Sequence, residues 1–111
     1  MHSEPQLNAV FSALADPTRR AILAKLAMGE ATVAELGEPF QLSQPTISKH
    51  LRVLEDAGLI ETGREAQSRP RRLVPTTLKI ADAWLEPFRA QWERRFDRLE
   101  AHLKSKKKGT K

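Results

Sequence analysis

Residues 43–52 combine hydroxyl, amide and cationic side chains in a pattern that could read DNA bases. Ile47, Leu51 and Leu54 follow at spacings of four and three, which predicts an α-helix with one buried face. Short polar side chains at the start of such a helix can reach base edges in a major groove, and the helix N-terminus attracts phosphate. We therefore expect contacts to base edges or nearby phosphates from Gln44, Thr46 and Ser48. Contacts to the phosphate backbone are expected from Lys49, His50 and Arg52.

Ser43 and Pro45 predict where this helix begins. A serine hydroxyl can accept a hydrogen bond from a first-turn N–H, and proline is tolerated in the first turn because its missing N–H would have no intrahelical partner. Pro45 would also add van der Waals contact to DNA. Taken alone, the pattern fits an ordinary amphipathic surface helix equally well. The neighbouring elements must therefore distinguish a DNA-reading helix from a surface helix.

Three helices are predicted ahead of this segment. The first covers residues 6–15. Asp16 can cap the second, with Pro17 at its first position, and this helix continues over residues 18–28 with its Arg19, Arg20 and Lys25 in solvent. Thr32 and Glu35 form a capping-box pattern before a short third helix, which is ended by glycine and proline. Two helices joined by a brief turn, the second with a polar front, indicate a helix-turn-helix.

A β-hairpin is predicted after the polar helix. Residues 59–65 and 71–75 are typical of two strands, with a polar turn at residues 66–70 between them. Directly after a helix-turn-helix, a basic hairpin suits a wing that grips DNA, although a merely soluble hairpin is the alternative. The candidate wing contacts, to phosphate or to the minor groove, are Arg64, Arg69, Arg71 and Arg72.

A long apolar stripe from Thr77 to Leu103 predicts a last helix that pairs with its twin, because a domain this small cannot bury it. Pro87 predicts a kink or a break near Leu85. The aromatic side chains of the stripe could also line a ligand pocket, although packing is the commoner role. The candidate dimer residues on the first and last helices are Leu7, Val10, Phe11, Leu85, Phe88, Trp92, Phe96 and Leu99.

The composition fits one small domain, which we place at residues 1–103 of the 111. The absence of cysteine excludes disulfides and thiolate metal sites, and the three histidines are scattered. Neither a signal peptide nor a membrane span is predicted, so we expect a cytoplasmic protein. Residues 104–111 hold five lysines and no acid, which predicts a disordered tail.

Positive charge is concentrated in the second part of the chain. Residues 1–43 hold three Lys or Arg and five Asp or Glu, whereas residues 44–111 hold sixteen and nine. Because phosphate neutralisation supplies most non-specific affinity for DNA, this distribution favours a polyanionic partner. Charge alone fits RNA or anionic lipid equally well.

The chain resembles the ArsR/SmtB family of bacterial winged-helix repressors over residues 7–103. The segments that carry the resemblance are ALADPTRR (residues 13–20), LSQPTISKHL (residues 42–51) and AGLI (residues 57–60), in the family's usual order. The resemblance implies a homodimer on an inverted-repeat operator, with a recognition helix around residues 44–52 and a wing around residues 64–72.

The chain departs from the family's metal-sensing members. Their sites use a cysteine pair in the third helix or Asp and His ligands on the last helix, whereas this third helix has no thiol. The last helix has Asp82, Trp84 and His102 in no ligand spacing. We therefore predict no metal site and no cofactor.

The sequence thus predicts a mainly α fold with a small β-hairpin, a winged helix-turn-helix in the order α-α-α-α-β-β-α, dimerised through the first and last helices. The predicted function is that of a homodimeric repressor that binds double-stranded DNA. The alternative is a winged-helix protein-interaction module with a basic face for an acidic partner, although the polar reading helix lacks the aromatic anchors of such interfaces. No enzyme is predicted, because no acid, base and nucleophile set is evident.

Overall fold

The computed structural model describes residues 3–64 and 68–109. The elements in chain order are α1 (Glu4–Leu14), α2 (Pro17–Leu26), α3 (Val33–Gly37), a 3-10 helix (Glu38–Phe40), α4 (Gln44–Asp56), β1 (Ile60–Thr62), β2 (Arg71–Leu73) and α5 (Pro75–Gly109). The predicted order of elements is confirmed, with one additional 3-10 turn before α4. Residues 1–2, 65–67 and 110–111, which include part of the predicted hairpin turn, lie outside the described residues.

Side-chain caps fix the starts of α2 and α3. The Asp16 carboxylate accepts a hydrogen bond from the Arg19 backbone N–H at 2.9 Å, and this bond, with the nearby His50, holds the pKa of Asp16 below its ordinary value. Thr32 and Glu35 form both bonds of the predicted capping box, at 2.9 and 3.2 Å. The Thr32 N–H in turn lowers the pKa of the Glu35 carboxyl. Both helices therefore begin where the local sequence predicts.

The first compact unit, Met1–Ala81, has a single hydrophobic core. Its fully buried large side chains come from four helices and from the start of the hairpin, namely Val10, Ile22, Leu36, Ile47, Leu54 and Leu59. Val10 has 0% exposure within one protomer, so its prediction as a dimer-interface residue is wrong. A side chain with no accessible surface in the protomer has none left to bury against a second copy.

The basic side chains of α2 bind backbone carbonyls, and of the three predicted to lie in solvent, Arg20 and Lys25 are exposed whereas Arg19 is half-buried. Arg20 Nη1 donates to the Leu14 carbonyl at 2.8 Å, and Lys25 Nζ donates to the Glu35 carbonyl at 2.7 Å. Arg19 donates to two carbonyls of the last turn of α1. These cations satisfy carbonyls that helix ends leave without an intrahelical donor.

The hairpin is shorter than predicted, with three residues in each strand, and is antiparallel with Ile60 opposite Leu73 and Thr62 opposite Arg71. A backbone bridge attaches β2 to the loop before α3: the Arg71 N–H donates to the Ala31 carbonyl at 2.8 Å, and the Ala31 N–H donates to the Arg71 carbonyl at 3.1 Å. The second strand is therefore held on both sides.

Helix α5 is continuous across Pro87, so neither a break nor a shortened last helix is observed. It continues to Gly109, and the prediction of a disordered tail from Lys104 is therefore wrong for residues 104–109. Residues from Asp82 onward form the second compact unit. Among residues 3–64 and 68–109, no helix combines the length and the apolar character needed to cross a membrane.

Candidate nucleic-acid interface

The turn between α3 and α4 is tight because a buried side chain of α4 packs against the backbone of α3 there. A Cβ added at Gly37 would lie 3.1 Å from Ile47 Cγ1, and Ile47 has 0% exposure. Gln41, just before α4, has the left-handed φ of 53°. Glycine at position 37 thus allows α3 to pack directly on α4, which gives the helix-turn-helix its geometry.

Helix α4 begins at the predicted position. Ser43 Oγ accepts a hydrogen bond from the Thr46 N–H at 3.3 Å and lies 2.9 Å from Thr46 Oγ1. Thr46 is half-buried and already bonded within the helix, so its hydroxyl is less available to a base than predicted. The predicted contact residues that α4 exposes to solvent are Gln44, Pro45, Ser48, Lys49 and Arg52.

His50 points toward the rest of the protein, with its side chain 20% exposed. Its Nδ1 lies 3.4 Å from Arg19 Nη1 and 3.8 Å from Asp16 Oδ2. The structure therefore gives His50 protein partners on α2, and its predicted contact with the DNA backbone stays a prediction.

A cleft of about 220 Å³ lies between the middle of α4 and the second strand of the hairpin. Beside it, Thr62 of β1 donates a hydrogen bond from its hydroxyl to the Glu55 carboxylate of α4. That bond joins the hairpin to the helix on the side where their polar groups converge. The cleft is lined by Ser48, Leu51, Arg52, Glu55 and Arg71.

A second cleft, of about 370 Å³, lies between the start of α4, the start of α3 and the hairpin. The two clefts share Arg71, and we refer to them together as the groove along the hairpin side of α4. This groove brings together five predicted DNA contacts, two from the hairpin and three from α4: Arg69, Arg71, Gln44, Ser48 and Arg52. The second cleft is completed by Thr32, Val33, Ala34 and Ser68.

Two predicted wing arginines lie outside this groove. Arg72 Nε donates to the Glu30 carboxylate at 2.6 Å, and successive side chains of a strand point to opposite faces, so Arg72 is directed away from Arg71. Arg64 is exposed beside the residues that the structure does not describe. Arg72 therefore lies on the face of β2 opposite to the groove, whereas Arg71 lines both of its clefts.

Glu55 and Thr62, which join the helix to the hairpin, are absent from the residues predicted by sequence. An acidic residue on a basic face gives no signal of its own, and the partner of Glu55 depends on the position of the hairpin. Only the placement of Glu55 three residues after Arg52 indicated that it shares the exposed side of α4.

Asp82, which was compared with metal ligands from the sequence, is engaged in an ion pair. Asp82, one of the acidic residues of α5, is hydrogen-bonded to Arg89, and this bond raises the pKa of that guanidinium. Within the described ranges 3–64 and 68–109, no three His, Asp or Glu side chains cluster closely enough to share a metal ion.

The candidate dimer residues of α5 form an exposed aromatic stripe. Phe88, Trp92 and Phe96 are 42%, 50% and 69% exposed in one protomer, and the Trp84 and Phe88 rings lie 4.9 Å apart. Leu99 is also exposed and Leu85 is half-buried. On α1, Leu7 and Phe11 are half-buried, so they keep surface that a second copy could cover.

Comparison with known proteins agrees with this geometry. The family model described as "Bacterial regulatory protein, arsR family" matches residues 16–62. The transcriptional repressor SdpR of Bacillus subtilis is 39% identical over 82 residues, which cover 74% of this chain and 91% of the relative.

Solved structures extend the match to the whole fold. The crystal structure of an ArsR family transcriptional regulator matches with a TM-score of 0.73 and 42% identity over 84% of this chain and 97% of that chain. The solution structure of a homodimeric winged helix-turn-helix DNA-binding domain from Mycobacterium bovis matches with a TM-score of 0.63 and 26% identity over 81% and 91%.

The fold is therefore a winged helix-turn-helix, with α4 as its second helix and the β1–β2 hairpin as its wing. The chain belongs to the ArsR family of bacterial regulatory proteins. The resemblance predicted from residues 13–20, 42–51 and 57–60 is confirmed.

Proposed function

We propose that this protein is a DNA-binding transcriptional regulator, a homodimeric repressor that binds an inverted-repeat operator. The groove between α4 and the wing carries the proposal, because it joins Gln44, Ser48 and Arg52 of the helix to Arg71 of the strand. The repressor among its relatives and the DNA-binding domain among its structural neighbours support the same function.

The two sides of the groove have different tasks in this proposal. The amide of Gln44 and the hydroxyl of Ser48 face base edges in the major groove and supply sequence preference. Arg71 and Arg69 neutralise phosphates and supply affinity that depends on salt but not on sequence. Repression then follows from occupancy, because a bound protein blocks promoter access, and binding alone is sufficient without a catalytic step.

The proposed second copy covers the aromatic stripe of α5. Half-buried Leu7 and Phe11 of α1 would add apolar surface, and the homodimeric state of the Mycobacterium bovis neighbour supports self-association. A two-fold dimer places two recognition helices about 34 Å apart, one turn of B-DNA, which matches the two halves of an inverted repeat. We propose that this dimer acts in the cytoplasm.

Genomic footprinting with the purified protein tests the proposal. We expect protection of promoter segments that contain an inverted repeat, with affinity for that repeat about a thousandfold or more above the affinity for random duplex. Equal affinity for the enriched segments and for random duplex, or no binding to either, would overturn the proposed function.

A further inference from the structure

Arg19 joins three helices at one point of the fold. From α2, its Nε donates to the Ala13 carbonyl at 2.8 Å and its Nη2 donates to the Ser12 carbonyl at 3.1 Å, both in the last turn of α1. Its Nη1 lies 3.4 Å from His50 Nδ1 on α4. One guanidinium therefore links the end of α1 to the recognition helix.

The geometry of the link requires arginine. A guanidinium presents five N–H donors in a fixed plane, so it can bind two neighbouring carbonyls and a third acceptor at once. A lysine ammonium keeps the charge but lacks this planar fork. The contact between Arg19 and His50 is a hydrogen bond when His50 Nδ1 carries no proton, and the same nitrogen lies 3.8 Å from Asp16 Oδ2.

We propose that Arg19 is a positioning residue for DNA binding, which sets the orientation of α4 through His50. The inference rests on the proposed function. His50 lies between Lys49 and Arg52 on α4, so a rotation of the helix about its apolar face would move the groups that face DNA. The apolar side chains of α4 hold the helix in the core, and the contact between Arg19 and His50 fixes its rotation.

Arg19 acts through the protein rather than on DNA. Its side chain is part-buried at the α1 carbonyls, and its donors are engaged by Ser12, Ala13 and His50. Loss of the link should therefore reduce discrimination between sequences and leave the number of neutralised phosphates unchanged. Salt dependence separates these two effects, because its slope reports the number of phosphate contacts.

The substitution Arg19→Lys tests the inference, and Arg20→Lys is the matched control. Arg20 follows Arg19 in the first turn of α2 and binds a carbonyl at the same end of α1, but its bond goes to Leu14 and not to α4. We expect Arg19→Lys to lower operator affinity about tenfold, the loss of one charge-assisted hydrogen bond. Random-duplex affinity and the salt slope should stay constant, and Arg20→Lys should change operator affinity less than about twofold.

His50→Phe provides a second variant, because it keeps the ring but removes the acceptor. It should reduce the ratio of operator to random affinity as Arg19→Lys does, and the double variant should show no further loss. Far-UV circular dichroism checks that each variant is folded. Should Arg19→Lys not fold, His50→Phe decides the test by the same ratio together with its salt slope, because a reduced slope would make His50 a phosphate contact and overturn the inference.

Three results would overturn the inference. They are an Arg19→Lys variant that matches Arg20→Lys, additive losses in the double variant, or a salt slope reduced by about one in Arg19→Gln, which removes the charge and would then identify Arg19 as a direct phosphate contact. These results differ from a failure of the proposed function, in which the unaltered protein itself shows no preference for any operator.

Discussion

Arg71 serves both the fold and the proposed DNA contact. Its backbone N–H and carbonyl pair with Ala31, and its side chain lines both clefts of the groove. Because the backbone pairing does not depend on the side chain, truncation of Arg71 should leave β2 in place and remove only the bond from Arg71 Nη1 to the Arg69 carbonyl near the hairpin tip. The side chain can therefore be tested for DNA contact separately from the fold.

Arg71→Ala should weaken binding to operator and random duplex alike and reduce the salt slope by about one, since one phosphate contact is lost. Arg72→Ala is the matched control, because Arg72 is paired with Glu30 on the other face of the strand. Titrations at several salt concentrations measure both slopes. An unchanged slope for Arg71→Ala would remove it from the DNA contacts.

Gln44 occupies the first position of α4 and lines the cleft shared with the wing. Gln44→Ala should lower the ratio of operator affinity to random-duplex affinity. The loss should correspond to ~1–3 kcal/mol of discrimination free energy, the value of one good base contact. Competition binding with both duplexes gives the ratio. An equal loss on the two duplexes would reassign Gln44 to the phosphate backbone.

At the scale of elements, the packing of α3 on α4 depends on Gly37. Gly37→Ala should destabilise the protein by about 1–3 kcal/mol, because the new methyl group would crowd fully buried Ile47. Urea unfolding measures the loss. In an Ile47→Ala background, Gly37→Ala should lower the free energy of unfolding much less. An equal loss in both backgrounds would show that contact with Ile47 is not the cause.

Local rules predicted the starts of these elements correctly. Ser43, Asp16 and the Thr32–Glu35 capping box all act within one helical turn, so their partners are fixed by spacing alone. The end of α5 was predicted less well, because a run of lysines is compatible with either a helix or a tail. The resemblance to a known family supplied the tertiary arrangement that local rules do not.

The errors at the candidate site have a common physical origin in tertiary contacts. Val10 was predicted at an interface because a helical stripe does not reveal which of its members face the protomer's own core. Arg72 was predicted to contact DNA beside Arg71 because residue type does not reveal which face of the strand each arginine occupies, and Arg19 was predicted in solvent because its acceptors lie on other helices.

At the scale of the whole molecule, self-association depends on side chains that one protomer leaves exposed. Trp92→Glu should convert the proposed dimer to a monomer at micromolar concentration, because a charge would have to be buried without a partner. Sedimentation velocity measures the change, and operator affinity should fall with it.

Arg94→Glu is the control for this substitution, since Arg94 is an exposed residue of α5 two positions along and therefore on a different side of the helix. It should leave the sedimentation coefficient unchanged. A Trp92→Glu variant that sediments as a dimer would exclude the aromatic stripe from the interface.

The anchoring of the hairpin at its base makes its tip suitable for engineering. Leu59 and Val74 are joined by a backbone hydrogen bond of 2.8 Å, Gly63 and Pro70 by one of 2.7 Å, and β2 is also held by Ala31. Insertions or deletions between positions 63 and 70 therefore alter the reach of the wing along the duplex without shifting the strands beneath it. Grafted tips of different length would yield regulators with altered footprints on an unchanged scaffold.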